Sequence, residues 1–474
     1  MADYDYDFDL EDLYDEEALP GHPNVWYDDD DLNQMDEYAI ERGFWEELDM
    51  CVQPTIRDGF SQVSTLLLWS FIFRLTTQSV AVPLSVGHAI SACTGLYIMF
   101  VFFNWTVTHI LVFPFTMYLV LWTLSKFYGQ RRGPVMSIIS IIYLIISELF
   151  FVPGREWHKI RGAQMIVAMK VISLSFDSDI GTIQNVPPPL DYAGYVFNIG
   201  TCVFGPWVPY KDYVATFNRP LWNFRWCLRI CLNLLIAFFF LSISTCWSHW
   251  FIPDDAWRWW VAYRDALSFR SSHYFISFLS EATALLTGFG RTEDDDWNVP
   301  VTKPHLIEIP RSLVQVVVYW NMPMHNWLKT YVFRTTIPYG SFTAVLSTYA
   351  ASSLLHGLNF QLSSVLLSLG IYTYVEYMLR QKLASIFKAC ILVRPCRKEC
   401  PHQNRESRVV VVITNVFLGL LVMFHLTYLG VMFDSSSKEQ EVGYSYTHTL
   451  AKWSSLNYAS HWIILGTYVF NFLI

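Results

Sequence analysis

Charge is scarce in this 474-residue chain: Asp, Glu, Lys and Arg make up 15% of it, against a usual share of about 25%. That excludes a soluble enzyme of ordinary composition, and also a nucleic-acid binder, which needs a basic face. Cysteine is sparse and scattered, with nine residues that form no dense framework of a secreted disulfide module. A basic start followed by an apolar stretch and a small-residue cleavage site is missing as well. No removable signal peptide is therefore expected, and targeting falls to an internal apolar segment. What the chain does have is apolar and aromatic surface: 53% of its residues are hydrophobic and 17% aromatic.

The formal net charge of −9 averages two unlike regions. Residues 1–58 hold 20 of the 41 acidic residues and only Arg42 and Arg57 as basic ones, which leaves +9 on the rest. Like charges crowded together repel and build no core, so residues 1–59 read as an acidic, disordered tail and 60–474 as a membrane domain.

A helix that spans a bilayer needs about 20 predominantly apolar residues. Candidate spans are 61–79, 85–104, 107–125, 135–152, 190–208, 228–247, 270–290, 341–356, 358–379, 408–432 and 454–474. Two further stretches, 155–176 and 312–333, read as amphipathic, and Pro323 interrupts the second. The fold class is all-α and polytopic, with about eleven transmembrane helices plus interfacial or re-entrant ones, because only helices or closed barrels satisfy the backbone in lipid. Between Arg380 and Arg408 lie eight basic residues and two acidic ones. The positive-inside rule makes that loop cytosolic, along with the one carrying Lys126, Arg131 and Arg132. Counting back from there places the tail on the lumenal side. His356 is 24 residues before Arg380, about 36 Å along a helix, and so belongs towards the lumen or the protein core.

Cys390, Cys396, Cys400 and His402 cluster in the basic loop. Three thiolates and an imidazole suit tetrahedral zinc, yet the spacing departs from paired CxxC knuckles. Palmitoylation and plain reduced thiols compete with zinc, and no metal is assigned. Polar residues inside apolar segments are costly and are functional candidates by default: Arg74, His88, Glu148, Asn198, Glu281, Asn321, His356, Glu376 and His425. Such groups also serve simply by pairing with one another or with the backbone.

His356 follows the small residues Ala350, Ala351, Ser352 and Ser353 and precedes Gly357. Small residues let helices approach, glycine permits a break, and an imidazole there has the chemistry of a general base. Asn321 precedes Met322-Pro323; an amide at such a break can orient a carbonyl or donate to an oxyanion, or merely cap a helix.

Trp320-Asn321-Met322-Pro323, followed 35 residues after its Asn by Leu354-Leu355-His356-Gly357, resembles the membrane-bound O-acyltransferase family. Stretches 157–170, 204–207, 278–284, 347–352, 374–376, 452–454 and 459–462 extend the likeness over about 61–474. The resemblance implies His356 as the catalytic histidine and Asn321 as its active-site partner. Within the family it is similar to the branch that moves palmitoleate from palmitoleoyl-CoA to a serine hydroxyl of Wnt proteins. That implies an enzyme of the endoplasmic reticulum membrane, in contact with membrane lipid and required for Wnt secretion, with no permanent cofactor, no metal and no nucleic acid.

Lys159 and Arg161, on a basic face that attracts CoA phosphates, and Ser352 are the candidate donor contacts. Loops 292–305 and 433–451 are candidates for acceptor contact. Two other readings stand beside this one. An enzyme of the same fold could acylate a sterol, diglyceride or lysophospholipid, and a transporter would use paired broken helices in internal repeats, of which the sequence shows none.

Overall fold

The computed structural model describes residues 43–78, 82–127, 131–218, 223–292, 296–397, 399–433 and 446–474. Most of the acidic tail lies outside them. Its last part does not: a helical turn begins at Phe44, and the compact unit that holds the rest of the chain starts at Glu47. Helix α1 spans Gln53–Gln78 and so runs across residues 59 and 60, where the tail and the membrane domain were expected to meet. The apolar run from Val63 to Phe73 carries the helix back over the last charges of the tail.

Helices α2 (Leu84–Phe103) and α3 (Val107–Phe127) are the two limbs of one 44-residue apolar segment, bent at Asn104 with φ of 48°. Helix α4 (Arg132–Ile146) runs on through Phe151, and α5 spans Gly154–Ile180. Of the two placements open to stretch 155–176, interfacial or re-entrant into the interior, the structure takes the interior: along α5, Ala163, Val167, Ala168, Val171 and Leu174 are at most 2% exposed. The expected span 190–208 is also corrected. Only Pro189–Val196 (α6) is helical, and the chain then turns irregularly before α7 (Tyr210–Thr216). Buried Lys170 of α5 holds that irregular segment, donating to the carbonyls of Tyr195 and Val196 at 3.1 and 3.0 Å and to Thr201 Oγ1 at 2.9 Å. An irregular backbone at membrane depth survives only where protein satisfies it, and this lysine does so.

Helices α8 (Phe224–Ser242) and α9 (Arg258–Leu286) pack antiparallel. Next come α10 (Leu313–Trp320), α11 (Met322–Leu328), α12 (Ser341–Leu355), α13 (Phe360–Phe387), α14 (Val409–Gly430), α15 (Tyr446–Ser455) and α16 (Ala459–Leu473). Among the described residues there is no strand. Five helical segments among the described residues are long and apolar enough to cross a membrane: Leu84–Phe127, Arg132–Phe151, Phe224–Phe251, Phe360–Phe387 and Val409–Gly430. Helices α12 and α16, with 15 residues each, reach only about 22 Å, less than a bilayer core of about 30 Å. The chain is a membrane-embedded multi-pass protein whose outer helices present apolar side chains to lipid; Val409, Val410 and Ile413 of α14 are examples.

Two ends of the bundle can be traced through hydrogen bonds. At one end, Arg132 of α4 donates to Ser178 of α5 at 2.7 Å. At the other, Thr106 between α2 and α3 donates to Glu156 of α5 at 2.8 Å. Helix α1 begins at this second end beside a Cys51–Cys246 disulfide that closes a separation of 195 residues. Those two cysteines are not reduced thiols. No spacing in the sequence signals the pairing, because connectivity does not follow from cysteine positions alone.

Candidate active site

Helix α12 ends at His356, which serves as its C-cap with φ −82° and ψ −1°. The His356 N–H reaches the carbonyls of Ser353 and Ser352 at 3.1 and 3.3 Å, which is where the structure places Ser352. Gly357 then turns the chain at φ +88°. A Cβ there would stand 2.8 Å from Glu148 Oε2 and 3.0 Å from Trp157 Nε1, so glycine is required both by conformation and by close approach. Leu358 N–H donates to Glu148 Oε2 at 2.7 Å, and Asn359 caps α13 by accepting from Leu362 N–H at 3.0 Å. The break at the histidine is thus a built turn, pinned by one carboxylate from α4.

Asn321 stands at the matching break between α10 and α11, where Pro323 occupies a first-turn position and Asn321 is the cap. Its Oδ1 accepts from Met324 N–H at 3.0 Å. The capping role anticipated from sequence uses the oxygen and leaves the amide N–H₂ to donate elsewhere. Asn321 lines a small cavity of about 30 Å³ with Met165, Ile166, Met169, Phe204, Trp207 and Ser280. The backbone on either side of the break is held from α9: Glu281 Oε1 accepts from Val301 N–H at 2.7 Å, and the Val301 carbonyl accepts from Met322 N–H at 2.7 Å.

One residue that holds the Asn321 break was missed by the sequence reading. His273 of α9 lies flat on Trp320, with ring centroids 4.2 Å apart and planes 4° apart. Its Nε2 bonds the Trp320 carbonyl at 2.9 Å, so that nitrogen carries the proton. Helix α11 also packs on α12. The only signal in the sequence was a histidine set among Ser271, Ser272 and Ser277 on a helix otherwise read as a plain span.

The other intramembrane candidates are structural. His88 Nδ1 pairs with Tyr213 Oη at 2.8 Å, and Asn198 donates to Ser91 Oγ at 3.1 Å. Arg74 donates to the Thr216 carbonyl at 3.1 Å, and His425 pairs with Ser460 Oγ at 2.6 Å. Glu376 pairs with Arg380 at 2.7 Å and caps Leu313 N–H at 2.7 Å.

Lys159 and Arg161 are placed differently from expectation. They lie near the start of α5, about 30 Å from the Asp179 end that meets Arg132. Lys159 is solvent-facing and paired with Glu156 at 3.0 Å, while Arg161 interacts with Glu148 and His356. Neither belongs to the basic end, because one uninterrupted helix separates them from it. Arg394 is in the basic loop itself, next to the Val393 carbonyl that Ser312 holds, and burial first, then the charges of Lys329 and Arg394, lower the pKa of His325 of α11. Of the suggested acceptor loops, 434–445 and 293–295 lie outside the described residues; Val301 and Thr302 of the other serve to position Asn321.

An apolar cavity of about 210 Å³ lies between α4, α5 and the α11–α12 region. Pro134, Phe176 and Tyr331 line it, and Ala351 and Leu355 bring it to within one residue of His356.

Residues 60–423 match the membrane-bound O-acyltransferase family. The chain is similar to "Protein-serine O-palmitoleoyltransferase porcupine" of Mus musculus, 40% identical over 465 residues that cover 93% of this chain and 100% of that protein. The protein of the same description from Anopheles gambiae is 35% identical, over 90% of this chain and 94% of its own length. "Lysophospholipid acyltransferase 2" of Arabidopsis thaliana is 24% identical over 65% of this chain.

Proposed function

The chain belongs to the membrane-bound O-acyltransferase family, and from that premise we propose that it is a protein-serine O-palmitoleoyltransferase acting on Wnt proteins in the endoplasmic reticulum membrane. The observation that carries this reading is the pair of helix breaks at His356 and Asn321, the second held by His273 on Trp320, in a chain 93% of which aligns with a protein of that description.

A neutral serine hydroxyl is a poor nucleophile, so its proton must leave as the oxygen attacks. His356 takes that proton. The resulting imidazolium sits at the C-terminus of α12, where the helix dipole favours positive charge. Attack on the thioester carbonyl of palmitoleoyl-CoA places a negative charge on its oxygen, and the Asn321 amide N–H₂ donates to it. Collapse breaks the C–S bond, the imidazolium returns the proton to the departing thiolate, and the ester remains. His273 and Glu281 act through Asn321 by fixing the backbone before and after it.

The apolar cavity beside Leu355 receives the acyl chain, each buried CH₂ contributing about 0.8 kcal/mol. With the 380–408 loop cytosolic by its excess of basic residues, the donor's phosphates meet Lys329 and Arg394. The His356 end then faces the lumen and receives the acceptor serine. The Cys51–Cys246 disulfide at that end suits an oxidising compartment.

The purified protein, given labelled palmitoleoyl-CoA with a Wnt serine peptide or with a lysophospholipid, decides between acceptors. Label on the peptide alone is expected. Label on the lysolipid alone would establish the lipid-acylating reading that the Arabidopsis relative represents. Replacing Asn321 by Ala should lower kcat by about 10²–10³-fold, the size of a lost oxyanion donor, and the double variant Lys329→Ala/Arg394→Ala should raise KM for the donor. A KM unmoved by that pair removes them from the donor's path.

A further inference from the structure

The loop from Lys388 to Arg408 has no regular secondary structure, yet its backbone is closed on itself. Cys390 N–H donates to the Asn404 carbonyl at 2.9 Å, and Asn404 N–H to the Lys388 carbonyl at 3.0 Å. Only a small cluster around Ala389, Cys390, Ile391 and Val411 packs beneath it. So little buried apolar area does not order about 20 residues, and small loop-rich units of this kind rely on a cross-link or a metal.

The side chains supply the means. In the spacing Cys390-x₅-Cys396-x₃-Cys400-x-His402, the chain folds so that all four donor atoms lie within 4.8 Å of one another. Cys390 Sγ is 3.3 Å from Cys400 Sγ and 3.7 Å from His402 Nδ1, and Cys396 Sγ is 3.4 Å from the same nitrogen. The sulfur separation is far beyond the roughly 2.05 Å of a disulfide. Zinc with bonds of about 2.3 Å to sulfur and 2.05 Å to nitrogen sets its tetrahedral ligands about 3.8 Å (S to S) and 3.6 Å (S to N) apart. The two sulfur-to-nitrogen separations bracket the second value, and the Cys390–Cys400 sulfur separation is about 0.5 Å shorter than the first, within the small adjustment a bound ion would impose.

We propose that Cys390, Cys396, Cys400 and His402 bind one zinc ion at a closed, structural site. Three thiolates on Zn²⁺ leave a net negative charge, and a guanidinium lies against the loop: Arg311 donates to the Cys390 carbonyl at 2.8 Å. Glu406, which accepts from Cys396 N–H at 3.2 Å, also pairs with Arg311 at 3.0 Å. The site is joined to the rest of the protein through its carbonyls. Arg380 donates to Ile391 at 3.1 Å, Arg311 to Leu392 at 3.0 Å and Ser312 to Val393 at 2.8 Å. Ser312 is the N-cap of α10, the helix that ends at Asn321. The ion therefore fixes the loop on which the Asn321 helix rests, and does so whichever acceptor the enzyme uses. Four protein ligands leave no open position, which assigns the ion a folding role and no catalytic one.

The test is metal content of the full-length protein, purified in detergent without chelator. About one zinc per chain is expected in the wild type, and less than about a tenth of that in Cys396→Ser, Cys400→Ser or His402→Ala. Cys227→Ser, a free exposed cysteine elsewhere, should keep its zinc. Because a ligand variant can fail to fold, the wild type is also exchanged with cobalt, which should give the intense sulfur-to-metal charge-transfer band and tetrahedral visible spectrum of a thiolate-rich site. Wild-type protein that carries no zinc and binds no cobalt overturns the proposal. So does hydroxylamine-labile fatty acid on Cys396 or Cys400 in the wild type, which identifies the cluster as a lipidation site.

Discussion

The two ends of the bundle are held by opposite means. At the His356 end, the turn from Gly357 to Asn359 rests on one side-chain bond, from Leu358 N–H to Glu148, and the nearest covalent tie is the disulfide at the start of α1. At the basic end, the carbonyls of four consecutive residues, Cys390 to Val393, each accept from a side chain. Behind them a fully engaged pair, Arg380 with Glu376, caps α10. On the proposed orientation, the end that admits the acceptor and releases the product is lightly pinned. The end that only has to present Asn321 at a fixed height is overdetermined. Low local stability is common where binding segments must move, and here it is confined to one side of the reacting groups.

The largest test of this contrast removes the base. His356→Ala should lower kcat by about 10²–10⁴-fold while leaving thermal stability nearly unchanged, since only the backbone of His356 is tied into the turn. A variant with full transfer activity would remove His356 from the mechanism, and one that unfolds early would show that the turn depends on the ring.

Arg380→Ala should do the reverse. The guanidinium is fully buried and serves Glu376, Ile391, Asn415 and the Arg311 carbonyl. Removing one partner of a buried pair strands the other and costs about 3–5 kcal/mol. Denaturant unfolding in detergent should show that loss. Wild-type stability in this variant would mean that the basic end is held less firmly than its bonds indicate.

Cys51→Ser comes next, with an expected loss of about 2–4 kcal/mol from releasing the closed loop. The two ends should then respond to different reagents: reductant lowers the midpoint of the wild type but not of Cys51→Ser, and a chelator acts on both alike. Equal sensitivity of both proteins to reductant would show that the disulfide is not the tie.

The legible parts of this molecule are those where chemistry follows local order along the chain. Apolar runs of about 20 residues announced α2, α3, α8, α13 and α14, and the Pro323 and Gly357 signals announced the two breaks, because backbone stereochemistry acts on neighbours. The span expected at 190–208 failed because a buried lysine 20 residues and more upstream satisfies an irregular backbone there. An apolar run reports burial, not whether lipid or protein does the burying. Stretch 155–176 was left open between interface and interior because its opening charges at Glu156, Lys159 and Arg161 belong only to the first turns of a core helix. His273 was illegible because its role comes from the Trp320 ring and carbonyl, 47 residues away. The Cys390–His402 cluster was half legible. Its residue types were evident, but the closeness of the four donors depends on how the loop folds back between Lys388 and Asn404.

The smallest predicted effect is the most discriminating for the lightly pinned end. Glu148→Gln keeps an oxygen able to accept from Leu358 N–H, so the turn should persist and kcat/KM should fall by less than about fivefold, within 1 kcal/mol. Glu148→Ala loses the acceptor, and a hydrogen bond to a charged group contributes about 1.5–3 kcal/mol, so its loss in kcat/KM should exceed tenfold. If the two variants behave alike with large losses, the charge of Glu148 matters more than its bond. The carboxylate would then be needed as a charge beside Arg161, and the His356 end would be organised by an ion pair as the basic end is. If both are near wild type, the turn at Gly357 holds through glycine geometry and the Asn359 cap alone. Only a wide gap between Gln and Ala supports an end pinned by a single hydrogen bond.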